Sequence, residues 1–427
     1  MTTPRSRLAR RKTIAAFSVA LGATLLACFS SLGYLDSEPV APAGDASSDT
    51  GQPNEAAVDS GRAGDAADAT TDADVGDTTV TDAGLDSAAD ANGCDADTMT
   101  SGENCGACGH DCQGGGCSGG ICSPITLDEI DGGHLTQLVL DDANVYVTDG
   151  VQVWSVPQGG GAHTTVYAGS SETIQWMAID LSPSTLYWTQ QPLGDGGAGE
   201  LVTCPATGCT TPTVLQVPGY YAGVAVDPAD HLLYFVTAAS GDGTVAQVLR
   251  CTIPGCAGTP LKVTGGATGL RISGIALDGL EAFWVSAQGV FEAANPGTGY
   301  VPIAGASNPT YTPPALSPSS LFWCPLQRTP SASSFQPGTI EAAPISGDGG
   351  MTTLVADAGT PISVVATSTR LYYADFATGT IATCTLPACA DVSPLAQGQL
   401  FPYGLAQDAV SLYWVNNGDG RVMKVAK

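Results

Sequence analysis

The sequence predicts an all-β chain: a seven-bladed β-propeller closed by an N-terminal strand, preceded by a disordered acidic linker and a small disulfide-rich module. Three observations carry this. First, an apolar residue followed by an aromatic pair, or a near relative, recurs seven times: Val145-Tyr146-Val147, Leu186-Tyr187-Trp188, Leu233-Tyr234-Phe235, Ala282-Phe283-Trp284, Leu321-Phe322-Trp323, Leu371-Tyr372-Tyr373 and Leu412-Tyr413-Trp414. The Tyr/Phe positions are 41, 47, 49, 39, 50 and 41 residues apart, and a period of about 40–50 residues rich in short strands marks one propeller blade per repeat. Second, a turn-forming residue precedes each motif: Asp141, Asp180, Asp227, Asp278, Ser317, Thr367 and Asp408. Third, the last repeat stops at Lys427 one strand short, and Pro124–Ile130, ahead of the first repeat, can supply that strand.

Residues 1–27 read as an export signal. A basic start (Arg5, Arg7, Arg10, Arg11, Lys12) precedes an apolar run from Ile14 to Ala27, shorter than the roughly 20 residues of a spanning helix. The run ends in Leu25-Leu26-Ala27-Cys28, which resembles the lipobox of bacterial lipoproteins. That resemblance implies a diacylglyceryl group on Cys28. Phe29 follows where an Asp would mark inner-membrane retention, so the expected address is the outer membrane of a Gram-negative cell. The lipid anchor is the only membrane contact expected.

Residues 28–92 form the linker. Between 36 and 97 there are 16 Asp/Glu, one Arg and no aromatic residue. Such a segment cannot bury enough apolar surface to offset its chain entropy, and its like charges extend it. Loss of the signal removes five of 14 basic residues and none of 41 acidic ones. Nine cations against 41 acids exclude nucleic acid as a partner, since phosphate contact needs Lys and Arg.

Residues 93–123 hold Cys94, Cys105, Cys108, Cys112, Cys117 and Cys122 among glycines. In an exported chain, an even and dense set reads as three disulfides in one of fifteen connectivities. A zinc site on Cys105, Cys108 and His110 is the alternative, which export disfavours. Asn104-Cys105-Gly106-Ala107-Cys108-Gly109-His110-Asp111-Cys112 resembles the stigma-specific cysteine-rich family, and similar segments precede propellers in myxobacterial surface lipoproteins. The resemblance implies a small rigid module with no assigned chemistry.

Residues 124–427 form the propeller. In each blade strand A is small and apolar because it lines the axis. Strand B carries the aromatic pair, whose neighbours point to opposite faces, so both faces must be buried. Three C-x₄-C pairs, Cys204/Cys209, Cys251/Cys256 and Cys384/Cys389, enclose turn residues between strands C and D. They are expected to face each other across the hairpin as disulfide staples. Cys324 follows Phe322-Trp323 on a buried strand and reads as an inert core thiol. The turn residues cap their turns; a ring of calcium carboxylates is their sharper reading, and no other cofactor is expected. The repeats resemble YWTD and NHL-type propellers, with Tyr187-Trp188-Thr189-Gln190 the nearest match. That likeness speaks to fold more than function.

Strand parity puts the D–A and B–C connections on one face and the A–B and C–D turns on the other. The first face gathers the long loops and His134, Trp176, Tyr220, Tyr221, Arg271, Tyr311 and Tyr403. Aromatic residues with an Arg are a typical interface composition; the other reading of these aromatics is a plug that closes the top of the ring. The expected function is therefore non-catalytic binding of a protein or carbohydrate at the cell surface. The alternative is a lactonase- or lyase-like enzyme working at the central channel. Against it, the innermost strand A positions are Gln137, Trp176, Gly223, Gly274, Pro313, Ser363 and Gly404, which include no carboxylate. His134 and Glu172 are the nearest ionisable candidates beside Arg271.

Overall fold

The computed structural model describes residues 97–192, 199–238, 245–256, 260–263, 267–268, 272–286, 289–293, 300–305, 313–325, 338–347 and 349–427. Cys28, Cys94, Arg271, Tyr311 and the whole linker lie outside these residues. Among the described residues, no helix is long and apolar enough to cross a membrane.

Seven antiparallel blades follow one another around an axis. Strands A to D of blade 1 are Gln137–Leu140, Asn144–Thr148, Gln152–Pro157 and Thr164–Ala168. Blade 2 uses Glu172–Leu181, Ser184–Pro192 and Gly199–Pro205. The long strand Thr213–Asp227 then serves as D of blade 2 and A of blade 3. Blade 3 continues with Leu232–Ala238, Val245–Thr252 and the short outer pairs Leu261–Lys262 and Ala267–Thr268. Blade 4 is Ile272–Asp278, Glu281–Ser286, Gly289–Ala293 and Val301–Ala304. Blade 5 is Ala315–Leu316, Ser320–Trp323, Ile340–Pro344 and Thr352–Val355. Blade 6 is Pro361–Ala366, Arg370–Asp375, Thr380–Thr385 and Ser393–Ala396. Blade 7 is Pro402–Gln407, Ser411–Asn416 and Arg421–Ala426. Its outer strand is Ile125–Glu129, paired antiparallel with Arg421–Ala426, so the two ends of the propeller sequence meet in one sheet.

Burial explains the recurring triplets. All three residues of each triplet are at most 4 % exposed, because a strand B is packed against the neighbouring blade on both faces. The turn residues do local work. Asp141, Ser317, Thr367 and Asp408 each accept two backbone N–H bonds from the turn they open. In blades 1 and 7 the second carboxylate oxygen also accepts the hydroxyl of Tyr146 or Tyr413, at 2.8 Å in both.

Burial alone would raise the carboxyls of Asp141 and Asp408, but these donors outweigh it and hold both below the usual value. Burial and Asp141 in turn push Tyr146 up to about 12. A depressed carboxyl adds stability that is full above its unfolded pKa and is lost as pH falls through the folded one. Stability is therefore expected to hold above about pH 4 and fall below it. Urea melts of Asp408→Asn should show a shallower acid decline than the parent; an identical slope would mean that this carboxylate contributes none of it.

The innermost strand A residues meet their neighbours around the ring. Gln137 gives its amide N–H to Gln175 O and accepts the Met177 N–H, tying blade 1 to blade 2. Ser363 accepts the Leu405 N–H at 3.0 Å, tying blade 6 to blade 7. At Gly274 an added Cβ would stand 2.6 Å from the Pro313 Cα, so only glycine lets those two strands approach so closely.

Each sheet ends in an unpaired outer strand, a ready template for unwanted pairing. At blades 7, 1, 2, 4 and 5 the turn before strand D of the next blade covers it. Gly161 N–H donates to Leu127 O at 3.1 Å, and the His163 N–H and Nδ1 both reach Asp128 Oδ2, so blade 1 covers blade 7. Cys209 N–H donates to Val166 O at 2.9 Å, so blade 2 covers blade 1. Cys256 of blade 3 packs in one cluster with Leu215 of blade 2, Ile345 of blade 5 with Ile303 of blade 4, and Cys389 of blade 6 with Val355 of blade 5. Blade 7 has no such turn, because its outer strand comes from the other end of the sequence. There the cysteine-rich module packs Cys105, Cys112 and Cys122 into the cluster that holds Leu395 and Ala396 of blade 6.

Disulfides join Cys105 to Cys117 and Cys112 to Cys122, and Cys108 is disulfide-bonded as well. Cys204–Cys209, Cys251–Cys256 and Cys384–Cys389 are also linked, with Cα separations of 5.8, 5.0 and 4.9 Å. Their geometry differs from the expected bridge across a hairpin. The first cysteine of each lies in strand C and the second in the following turn. Cys256 and Cys389 have φ of 41° and 47°, and their N–H groups bond back to Thr252 and Thr385. Each staple closes a turn on its own start, and that turn covers the sheet edge of the preceding blade.

Candidate binding face

On the D–A/B–C face, the structure separates residues that pack from residues that are presented. Tyr221 is 6 % exposed and lies 6.0 Å from the Phe235 ring, so it belongs to the core between blades 2 and 3. The continuous strand Thr213–Asp227 causes this, because it carries Tyr221 inward as part of a ladder instead of leaving it in a loop. Trp176 is half-buried against the same cluster. Tyr220 pairs with Ala238 in the ladder, and its side chain is outside the described part. His134 is exposed, with Nδ1 3.1 Å from Asn417 O.

A second group forms where blades 6 and 7 meet. Phe376, in the B–C turn of blade 6, stacks on Phe401 with ring centroids 4.9 Å apart and planes at 27°. Tyr403 stands edge-on to Phe376 at 6.3 Å. Leu400 and Phe401 are 51 % and 47 % exposed. The B–C turn of blade 7 holds them in place: Asn417 N–H and Gly418 N–H donate to Phe401 O and Leu400 O, both at 3.0 Å. The Asn417 side chain donates to Leu135 O at 3.1 Å, which brings the His134 loop alongside.

Phe401 has φ of 54°. A bulky residue in the left-handed region costs roughly 1–3 kcal/mol and is a feature of ligand clamps as a class. Of this group the sequence reading had named only Tyr403 and His134. Leu400-Phe401 sits between Gly398 and Pro402 in a D–A connection, and two large apolar residues in a loop were the available signal.

The two ionisable candidates nearest the axis have separate partners. His134 bonds to the blade 7 turn, whereas Glu172 accepts the Ser171 hydroxyl at 2.6 Å and the Tyr167 hydroxyl at 3.5 Å. Among the described residues, one group of three potential metal ligands lies close together, the sulfurs of Cys105, Cys112 and Cys122. Those sulfurs are already in disulfides, and His110 is turned to Lys427 O at 2.7 Å. Cys324 is buried and free, and burial pushes its thiol up to about 12.

No family model and no curated protein matches the chain. Solved propellers do. A catalytically inactive histidine-to-alanine variant of virginiamycin B lyase from Staphylococcus aureus, with quinupristin, is 12 % identical with a TM-score of 0.54, over 71 % of this chain and 99 % of that one. The Pan2 WD40 domain of Neurospora crassa is 9 % identical with a TM-score of 0.51, over 71 % and 95 %. YCF48 bound to D1 peptide is 11 % identical with a TM-score of 0.50, over 71 % and 94 %. At these identities the likeness is one of fold.

Proposed function

We propose that the chain is a non-catalytic binding lipoprotein of the cell surface. Cys28 carries the lipid, the acidic segment is the spacer, and the D–A/B–C face of the propeller holds a protein or carbohydrate partner. The observation that carries this reading is Phe401, a large aromatic side chain kept half exposed in a strained backbone conformation and stacked on Phe376. Strain maintained at an aromatic that stays half exposed is a feature of binding sites as a class, and aromatic anchors contribute most to binding at interfaces.

Enzymatic turnover is less well supported. Of the four histidines, His110 is in the module and His163 and His231 bond to Asp128 and Asp180 on the opposite side. That leaves His134 on this face, apart from Glu172. A photo-cross-linking residue at Leu400, introduced in the native host, is expected to capture the partner. Phe401→Ser should reduce capture at least about tenfold, the loss expected of an anchor worth 1.4 kcal/mol or more, while the melting temperature stays within a few degrees. Undiminished capture by a folded Phe401→Ser chain would overturn the reading.

A further inference from the structure

The residue of strand C directly opposite the strand B aromatic is Ser155, Thr203, Arg250, Glu292, Ala342, Thr383 and Lys424 in blades 1 to 7. Two of these are cations, and their surroundings differ. Lys424 is 8 % exposed, lies 5.7 Å from the centre of the Tyr413 ring and donates to Gln158 O of the next blade at 3.4 Å. That charge is sealed between blades. Arg250 donates one N–H to the Tyr234 hydroxyl at 3.2 Å, and that hydroxyl donates on to Leu280 O at 3.4 Å. Its Nε is buried with no hydrogen-bond partner. Among the described residues no carboxylate forms an ion pair with it, in a chain with 41 acids. A buried charged donor left unpaired costs more than a neutral one.

Arg250 also lines a cleft of about 380 Å³ in the outer part of blade 3. This is within the roughly 300–1,000 Å³ of small-ligand sites. Leu232, Ile253, Pro254 and Leu261 supply apolar walls, and the Cys251–Cys256 staple fixes one side. A guanidinium edge presents parallel N–H donors that match the two oxygens of a carboxylate. We infer that this cleft is a binding site for a carboxylate carried on a short apolar body. The carboxylate is held by the Arg250 guanidinium where it lines the cleft, and the apolar part lies against Leu232 and Leu261. The cleft flanks a C–D turn, away from the Phe401 platform, so it stands or falls independently of the binding face.

Calorimetry on the full chain decides it. N-acetyl-leucine, which has the chemistry of a peptide C-terminus, is expected to bind saturably, and its amide at least about tenfold more weakly. Octanoate binding more tightly than N-acetyl-leucine assigns the natural source to fatty carboxylates; weaker binding assigns it to peptide ends. Arg250→Gln should lose about tenfold or more, and Arg250→Lys, which keeps the charge without the fork, should fall between. Leu261→Asp sets a like charge at the 57 % exposed rim and should weaken binding even if the Arg250 variants fold poorly. No saturable carboxylate binding, equal binding of the amide, or binding unchanged in folded Arg250→Gln overturns the site.

Discussion

A chain that starts at Ile130, without the cysteine-rich module and the closing strand, will not fold as a stable monomer. Strand Ile125–Glu129 is the outer strand of blade 7, in register from Ile125 opposite Lys424 to Glu129 opposite Arg421. Its removal strips Leu127, 4 % exposed, from a cluster with Leu138, Trp154, Tyr413 and Val422. Loss of one such leucine costs about 2–5 kcal/mol. The truncation also frees the donors and acceptors of Arg421 to Lys424 that pair with it and takes away Leu127 O and Asp128, to which the blade 1 turn is bonded. Against a total stability of roughly 5–15 kcal/mol, these losses leave little margin. Near-UV circular dichroism and sedimentation should show a loose or associated species, and a peptide spanning 97–129 added in trans should restore the native signal. A monomer melting cooperatively within a few degrees of the parent would show that the ring does not need this closure.

The aromatic triplets reported the blades faithfully because burial on both faces of a strand is a demand that few sequences meet. The turn residues were legible for a local reason, since an Asp or Thr side chain caps a turn with its own backbone neighbours. The missing last strand was legible by counting. What escaped depended on contacts between distant segments. Tyr221 looked like a loop aromatic because nothing local reveals that residues 213–227 run as one strand shared by two blades. Phe376 and Phe401 are 25 residues apart in sequence and stack only because two blades bring their loops together. The staples had the right partners in sequence, but not their geometry, because the second cysteine takes a turn conformation that spacing does not specify. Covering of an outer strand by the following blade is likewise a tertiary arrangement, and so is the part played by the module.

Replacing Cys105, Cys112, Cys117 and Cys122 together by serine is expected to make the protein self-associate beyond the parent. The module has too few residues for a core of its own, and its two described bridges, Cys105–Cys117 and Cys112–Cys122, span 12 and 10 residues. Each bridge of that length contributes on the order of 2–3 kcal/mol. Without them the module cannot hold its place against Leu395, Ala396 and Met423. Blade 6 would then keep its outer strand Ser393–Ala396 without a cover, beside Val392, already 44 % exposed. An uncovered edge recruits a second chain by strand addition. The contrast with blade 2 sharpens the test. Cys204→Ser with Cys209→Ser removes a staple, yet residue 209 keeps the backbone N–H that reaches Val166 O, so that variant should lose some stability and associate no more than the parent. Sedimentation velocity across a hundredfold concentration range separates the two. Association in the module variant alone supports the covering role. A module variant that associates no more than the parent, with an unchanged melting temperature, would show that blade 6 needs no cover.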